Sequence, residues 1–134
     1  MKTNHCKMQA ILVVAGLLLA VLPALAHHSV GAEFDSDKSV TVRGVVSKVE
    51  WINPHVYVFV DVKAENGSVT TWAFESLPTG FLHKVGITKA LLQGNPGDIV
   101  TVDASPAKDG TKNTGWITKI TYPDGHFYVL KAAQ

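Results

Sequence analysis

The chain has 134 residues, with 12 basic and 11 acidic side chains, six histidines and a single cysteine. This near-neutral balance leaves no charge excess to neutralise a phosphate backbone, so no nucleic-acid partner is expected. One cysteine, Cys6, cannot form an intrachain disulfide, a CxxC redox pair, a c-type haem attachment or a thiolate zinc site.

In chain order, residues 1–26 carry the pattern of a cleavable leader. Lys2 and Lys7 give a positive start, Ala10 to Val21 is an uncharged apolar run, and Ala24-Leu25-Ala26 supplies a small-x-small cleavage site. Cys6 precedes the apolar run, where a lipid-modified cysteine would follow it. The expected product begins at His27 and is periplasmic or secreted, with no stable membrane anchor. Loss of Lys2 and Lys7 leaves ten basic residues against 11 acidic ones. About one hundred residues suffice for one domain with one core and are too few for two.

Residues 27–38 are polar around one large apolar side chain, Phe34, and read as an extended arm. The β domain spans 39–134. Ser39 to Ile52 alternates with many β-branched residues, and the phase of alternation changes at Gly44, which predicts a β-bulge there. Asn53-Pro54 ends that strand. His55 to Lys63 and Ser68 to Ser76 read as a hairpin through Glu65-Asn66-Gly67, either with a two-residue Asn-Gly turn or with a three-residue loop and a left-handed Gly67. The three-residue loop is preferred because it sets Val56, Val58 and Val60 beside Trp72 and Phe74 on one apolar face. Tyr57 then stands opposite Glu75, with His55 diagonal to it.

Further along, a helical turn is expected near Gly80 to Lys84, and Thr88 caps a short helix through Gln93 that ends at Gly94. Asp98 to Ala104, Trp116 to Tyr122 and His126 to Leu130 read as strands, with Lys108 to Gly115 as a glycine and lysine loop. Three strands, a short helix and two or three more strands fit a small five- or six-stranded OB-like Greek-key barrel, with the helix between strands three and four. An open β-sandwich is the alternative.

Several segments carry a family resemblance: His27-His28-Ser29, Phe34-Asp35, Glu50-Trp51-Ile52-Asn53-Pro54-His55, Trp72-x-x-Glu75, the strand entry Pro96-Gly97-Asp98, and Ala107-Lys108-Asp109-Gly110. In combination they resemble the small bacterial exported proteins of domain of unknown function family 6152. The resemblance implies an exported OB-like β domain and no particular activity. One departure is the middle loop, where the family carries an Arg-Gly-Trp run and this chain has Lys84-Val85-Gly86-Ile87.

Two groups of residues point to chemistry. Cleavage before His27 would join a free amine to the imidazoles of His27 and His28, a nitrogen donor set that suits Cu(II) among the common divalent ions. His55 would add a further nitrogen and Glu75 would ligate or orient an imidazole. A solvated end and a turn histidine are the plain alternative. The second group is the hairpin face of Tyr57, Phe59 and Thr71 with Glu75, either a ligand surface or core packed under the arm. His83 and His126 read as surface residues. No nucleophile elbow, zinc-protease motif or phosphate-cradling loop is present, and nothing in the sequence sets the separation of a carboxylate pair such as Glu50 and Glu75. The expectation is therefore a non-enzymatic exported binding protein with copper or another transition metal as its ligand; the alternative is a protein-interaction or envelope-stress module that meets a periplasmic partner, small ligand or glycan without metal, through the exposed face and the Lys108 to Gly115 loop.

Overall fold

The computed structural model describes residues 29–131. The predicted leader, His27 and His28 lie outside them. Six strands form one sheet: β1 (Val40–Glu50), β2 (Tyr57–Lys63), β3 (Val69–Glu75), β4 (Ile99–Pro106), β5 (Thr114–Thr121) and β6 (Phe127–Val129). Their order is β3-β2-β1-β4-β5-β6, and a parallel pairing of β3 with β5 closes the first five into a barrel. Among the described residues three short helices accompany them, α1 (Val30–Glu33) before β1, and α2 (Thr79–Lys84) and α3 (Lys89–Gln93) between β3 and β4. This is the expected OB-like barrel, and both the helical turn near Gly80 to Lys84 and the helix capped by Thr88 stand in the β3–β4 connection. Among the described residues no helix is long and apolar enough to cross a membrane.

The hairpin follows the preferred register, with Val58 opposite Phe74, Val60 opposite Trp72 and Tyr57 opposite Glu75. Ala64 N donates to Ser68 O and Gly67 N to Ala64 O, and Gly67 has φ +85°, so the loop holds three residues and requires the left-handed conformation at its glycine. Val56, Val58, Val60 and Phe74 are fully buried. At about 1.5–3 kcal/mol for each such side chain, this one apolar face is a main source of barrel stability.

Strand β1 serves both halves of the barrel, pairing with β4 from Val40 to Val45 and with β2 from Val45 to Glu50. The bulge expected at Gly44 lies instead between Val46 and Lys48. Val42, Gly44 and Val46 share one buried phase, and the phase changes only at Ser47, after which Val49 points inward. Gly44 answers a different demand. A Cβ there would stand 2.4 Å from Asp61 O, so the glycine is needed for the close crossing of β1 over β2.

The expectation of an extended arm is corrected. Val30–Glu33 makes a helical turn, after which Phe34 bridges Ala107, Asp35 N donates to Pro106 O and Lys108 N to Glu33 O. Phe34 is only 6% exposed. Burial of this one aromatic outweighs the polar composition around it and fastens the segment to the barrel wall.

At the end of β5, Tyr122 ties α3 to the barrel. Its hydroxyl lies 2.9 Å from both Leu91 O and Leu92 O, the last carbonyls of a helix that Thr88 caps at its start through Leu91 N. Burial pushes the phenol's pKa well above its ordinary value, with the charges of Tyr128 and Asp98 adding to the effect.

Candidate functional site

Side chains of β2 and β3 that point away from the core meet the docked arm on the barrel's outer wall. His55 stands two residues before β2, and the ladder continues past the strand ends through Val56 N to Leu77 O and Ser76 N to Val56 O. That continuation fixes His55 two residues from Tyr57 on the same face, diagonal to Glu75. His55 Nδ1 donates to Glu75 Oε1, and the two side chains are 18% and 14% exposed. In the neutral ring this pairing favours the Nδ1–H tautomer, with Nε2 as the acceptor.

The parallel closure places Trp116 beside Glu75 in register. The His55 ring meets Trp116 edge-on, with centroids 5.4 Å apart, and Trp116 in turn packs on Phe34 at 6.0 Å. An aromatic wall from the arm, β5 and the start of β2 thus encloses the histidine and carboxylate. Tyr57 completes the group. Burial, the negative charge of Glu75 and a hydrogen bond to Glu75 push its phenol pKa up, so it stays neutral at ordinary pH.

Tyr57 and Glu75 line a cavity of about 630 Å³, bounded by Glu33 and Phe34 of the arm and by Lys108 and Asp109 of the β4–β5 loop. A cavity of this size matches a drug-sized ligand. Lys108 Nζ donates to Gly31 O at 2.5 Å, which pins the loop to the arm. Asp109 accepts from Thr111 N at 2.8 Å, and hydrogen bonds from the Thr111 backbone and side chain hold its carboxyl below the usual range.

The structure brings together three of the expected site residues, His55, Glu75 and Tyr57. Phe59 and Thr71 lie farther along the hairpin and do not line the cavity. Phe59 sits under Lys48 Nζ at 4.8 Å, and Thr71 donates to Asp61 at 2.6 Å. His27 and His28, the other expected metal ligands, lie outside the described residues. Among the described residues no group of three or more His, Cys, Asp or Glu side chains is arranged to hold a metal ion.

The sheet register now sets the Glu50 and Glu75 separation. Tyr57 stands in register between them, two inter-strand steps or about 10 Å from backbone to backbone. Glu50 is paired with Lys48 at 2.5 Å. His83 rests against Trp51, and His126 stacks on Tyr122. Sequence reasoning missed Glu33 and Trp116 as site residues, and it read Lys108 and Asp109 only as part of a partner-contacting loop, because only the β3–β5 closure and the docked arm bring these residues to the hairpin.

Fold and cavity together define a small OB-like barrel with an N-terminal arm docked over a half-buried histidine and carboxylate pair. The model of the family described as "Family of unknown function (DUF6152)" matches residues 15–119, and the chain belongs to that family. The match takes in the arm and the barrel strands as far as β5, and stops short of β6. Comparisons with curated proteins and with solved structures gave no match.

Proposed function

We propose that the protein is an exported, non-catalytic binding protein whose ligand occupies the cavity between the arm, the β2–β3 hairpin and the β4–β5 loop. Export rests on the leader pattern of residues 1–26, with cleavage before His27 and release into the periplasm or beyond. The observation that carries the reading is the convergence of Tyr57 and Glu75, both partly desolvated and polar, on a cavity of about 630 Å³. Structural stability alone does not call for a desolvated histidine and carboxylate pair, since an apolar pair of similar volume would serve as well or better.

Native mass spectrometry of the protein purified from its own compartment tests this reading. A bound small molecule is expected on the wild type and not on Tyr57→Ala. Adducts retained equally by both would remove the cavity from consideration.

A metal reading is favoured by one specific observation. Glu75 takes His55 Nδ1, the arrangement in which a carboxylate orients an imidazole whose other nitrogen binds a metal. Cu(II), held by His55 Nε2 with His27 and His28, is the ion this donor set suits best. Correctly processed protein is then expected to bind Cu(II) at about one-to-one stoichiometry, and one extra residue before His27 to weaken binding sharply. Equal affinity in both forms would reject the terminal site.

A further inference from the structure

The tip of the β2–β3 hairpin holds a second reactive arrangement, away from the cavity. An asparagine side-chain amide is open to attack by the backbone nitrogen of the next residue, provided that nitrogen carries a hydrogen and is not crowded. Asn53 and Asn95 precede prolines, which lack the N–H, and Asn113 precedes the branched Thr114. Only Asn66 is followed by glycine, which has no side chain to obstruct the approach. Asn66, Gly67 and Ser68 are all exposed. Ser68 places two donors on one atom, its backbone N at 3.0 Å and its hydroxyl at 2.7 Å from Asn66 Oδ1. Two fixed donors on a carbonyl oxygen are the arrangement that stabilises the oxyanion formed when that carbonyl is attacked.

We propose that Asn66 is a self-modification site, at which the Gly67 nitrogen displaces ammonia from the side-chain amide while Ser68 holds the oxyanion. The bond from Gly67 N to Asn66 Cγ forms as the nitrogen gives its proton to water. The bond from Cγ to Nδ2 then breaks, and the leaving nitrogen takes a proton from water and departs as ammonia, which leaves a cyclic imide. Water opens the imide at either carbonyl, giving aspartate or isoaspartate. The whole sequence consumes one water and releases one ammonia, and needs no other reactant. Gly67 N donates to Ala64 O at 2.9 Å, so attack follows release of that bond in a local opening of the exposed loop. Conversion puts a carboxylate where the folded loop has a neutral amide. The isoaspartate form also adds a methylene to the main chain of a three-residue loop, whose bonds from Ala64 N to Ser68 O and from Gly67 N to Ala64 O fit the unmodified length.

Incubation of the full, folded protein at mildly alkaline pH, followed by tryptic mass mapping, tests the proposal. Trypsin cuts after Lys63 and Lys84, and Asn66 is the one side-chain amide in peptide 64–84. The mass gain of amide-to-acid exchange in that peptide therefore reports Asn66 alone. Conversion to a mixture of aspartate and isoaspartate is expected, with ammonia released in equal amount. Ser68→Ala should slow it about two- to tenfold, the worth of one hydrogen bond expressed as a rate. Ser68→Thr keeps the hydroxyl and should convert at about the wild-type rate. In urea, where the loop geometry is lost, wild type and Ser68→Ala should convert alike.

An intact Asn66 in the folded protein under conditions that convert the urea-unfolded one would overturn the proposal. Equal rates in folded wild type and Ser68→Ala would overturn it too, since the two donors would then play no part. Aspartate formed without isoaspartate would mean direct hydrolysis by water and would remove Gly67 as the nucleophile.

Discussion

Two histidines in this molecule make the same local bond in different surroundings. His55 and His126 each donate from Nδ1 to a carboxylate, Glu75 and Asp124 respectively, and each lies against an aromatic ring, Trp116 or Tyr122. The first pair spans 20 residues of chain and is mostly withdrawn from water, whereas the second spans two residues and is 47% and 71% exposed. Asp124 also accepts from His126 N at 3.0 Å, so the second pair belongs to the turn that starts β6. A histidine and carboxylate contact is therefore not a site in itself. Desolvation across tertiary contacts, beside a cavity, is what separates His55 from His126.

The comparison is broken most severely if the Tyr122 region proves to serve ligand binding. Tyr122 is 3% exposed, ties α3 to the barrel and packs so closely that a Cβ on Gly94 would lie 2.8 Å from its ring. Tyr122→Ala is expected to cost about 3–5 kcal/mol in urea unfolding, the range for removing a large buried aromatic. Below the unfolding transition, affinity at the cavity should be unchanged. Loss of binding by a still-folded variant would show that the two regions are coupled.

A smaller effect on stability and a larger one on binding is expected at the other histidine. His55→Ala removes the imidazole donor from a partly buried Glu75, which should cost about 1–3 kcal/mol, and it abolishes one-to-one Cu(II) uptake if the metal reading holds. An unfolding midpoint unchanged from the wild type would place His55 with His126, as a contact of no structural weight.

The contrast between these regions was only partly legible in the sequence. The hairpin was, because alternating Val56, Val58 and Val60 admit one register that sets Trp72 and Phe74 on their face, and that register alone brings His55, Tyr57 and Glu75 together. The Glu75–Trp116 neighbourhood was not, since a parallel pairing between β3 and β5 is non-local and leaves no turn or spacing signal near either residue. Gly44 shows a second limit. A glycine within a strand marks either a bulge or a close approach of another backbone, and the sequence does not say which. The true bulge falls at Ser47, where nothing in the residue type announces it. The arm misled for a physical reason too, because one Phe34 in a suitable groove is enough to dock a polar segment.

Alkaline titration sharpens the comparison further. Phenols ionise near pH 10 in an unfolded chain, and burial raises the pKa of both Tyr57 and Tyr122 in the folded one, with Glu75 contributing at Tyr57. The folded state therefore holds these protons more tightly. The stability this represents is present below pH 10 and is lost as pH rises from there through the folded pKa. Absorbance at 295 nm should show Tyr122→Phe removing the last phenol to ionise. Tyr57→Phe should remove an earlier one, and Glu75→Gln should shift that earlier step downward. A Tyr57 step unmoved by Glu75→Gln would mean that the carboxylate does not act on the phenol.

The smallest expected effect is the most exacting test of the distinction. His126 stacks on Tyr122 with centroids 4.4 Å apart and planes 3° from parallel, and it meets Tyr128 edge-on at 5.6 Å, so by contact geometry it is better placed than His55. Much of its ring nevertheless faces water, which replaces in the unfolded chain most of what the folded one offers. His126→Ala should therefore lower stability by about 0.5 kcal/mol or less, as for most surface substitutions, and leave Cu(II) uptake unaltered. A loss several times larger in urea unfolding would mean that aromatic contact outweighs solvent exposure in this molecule. Burial would then no longer serve to rank one histidine above the other, and the case for His55 would rest on its bond to Glu75, which lines the cavity.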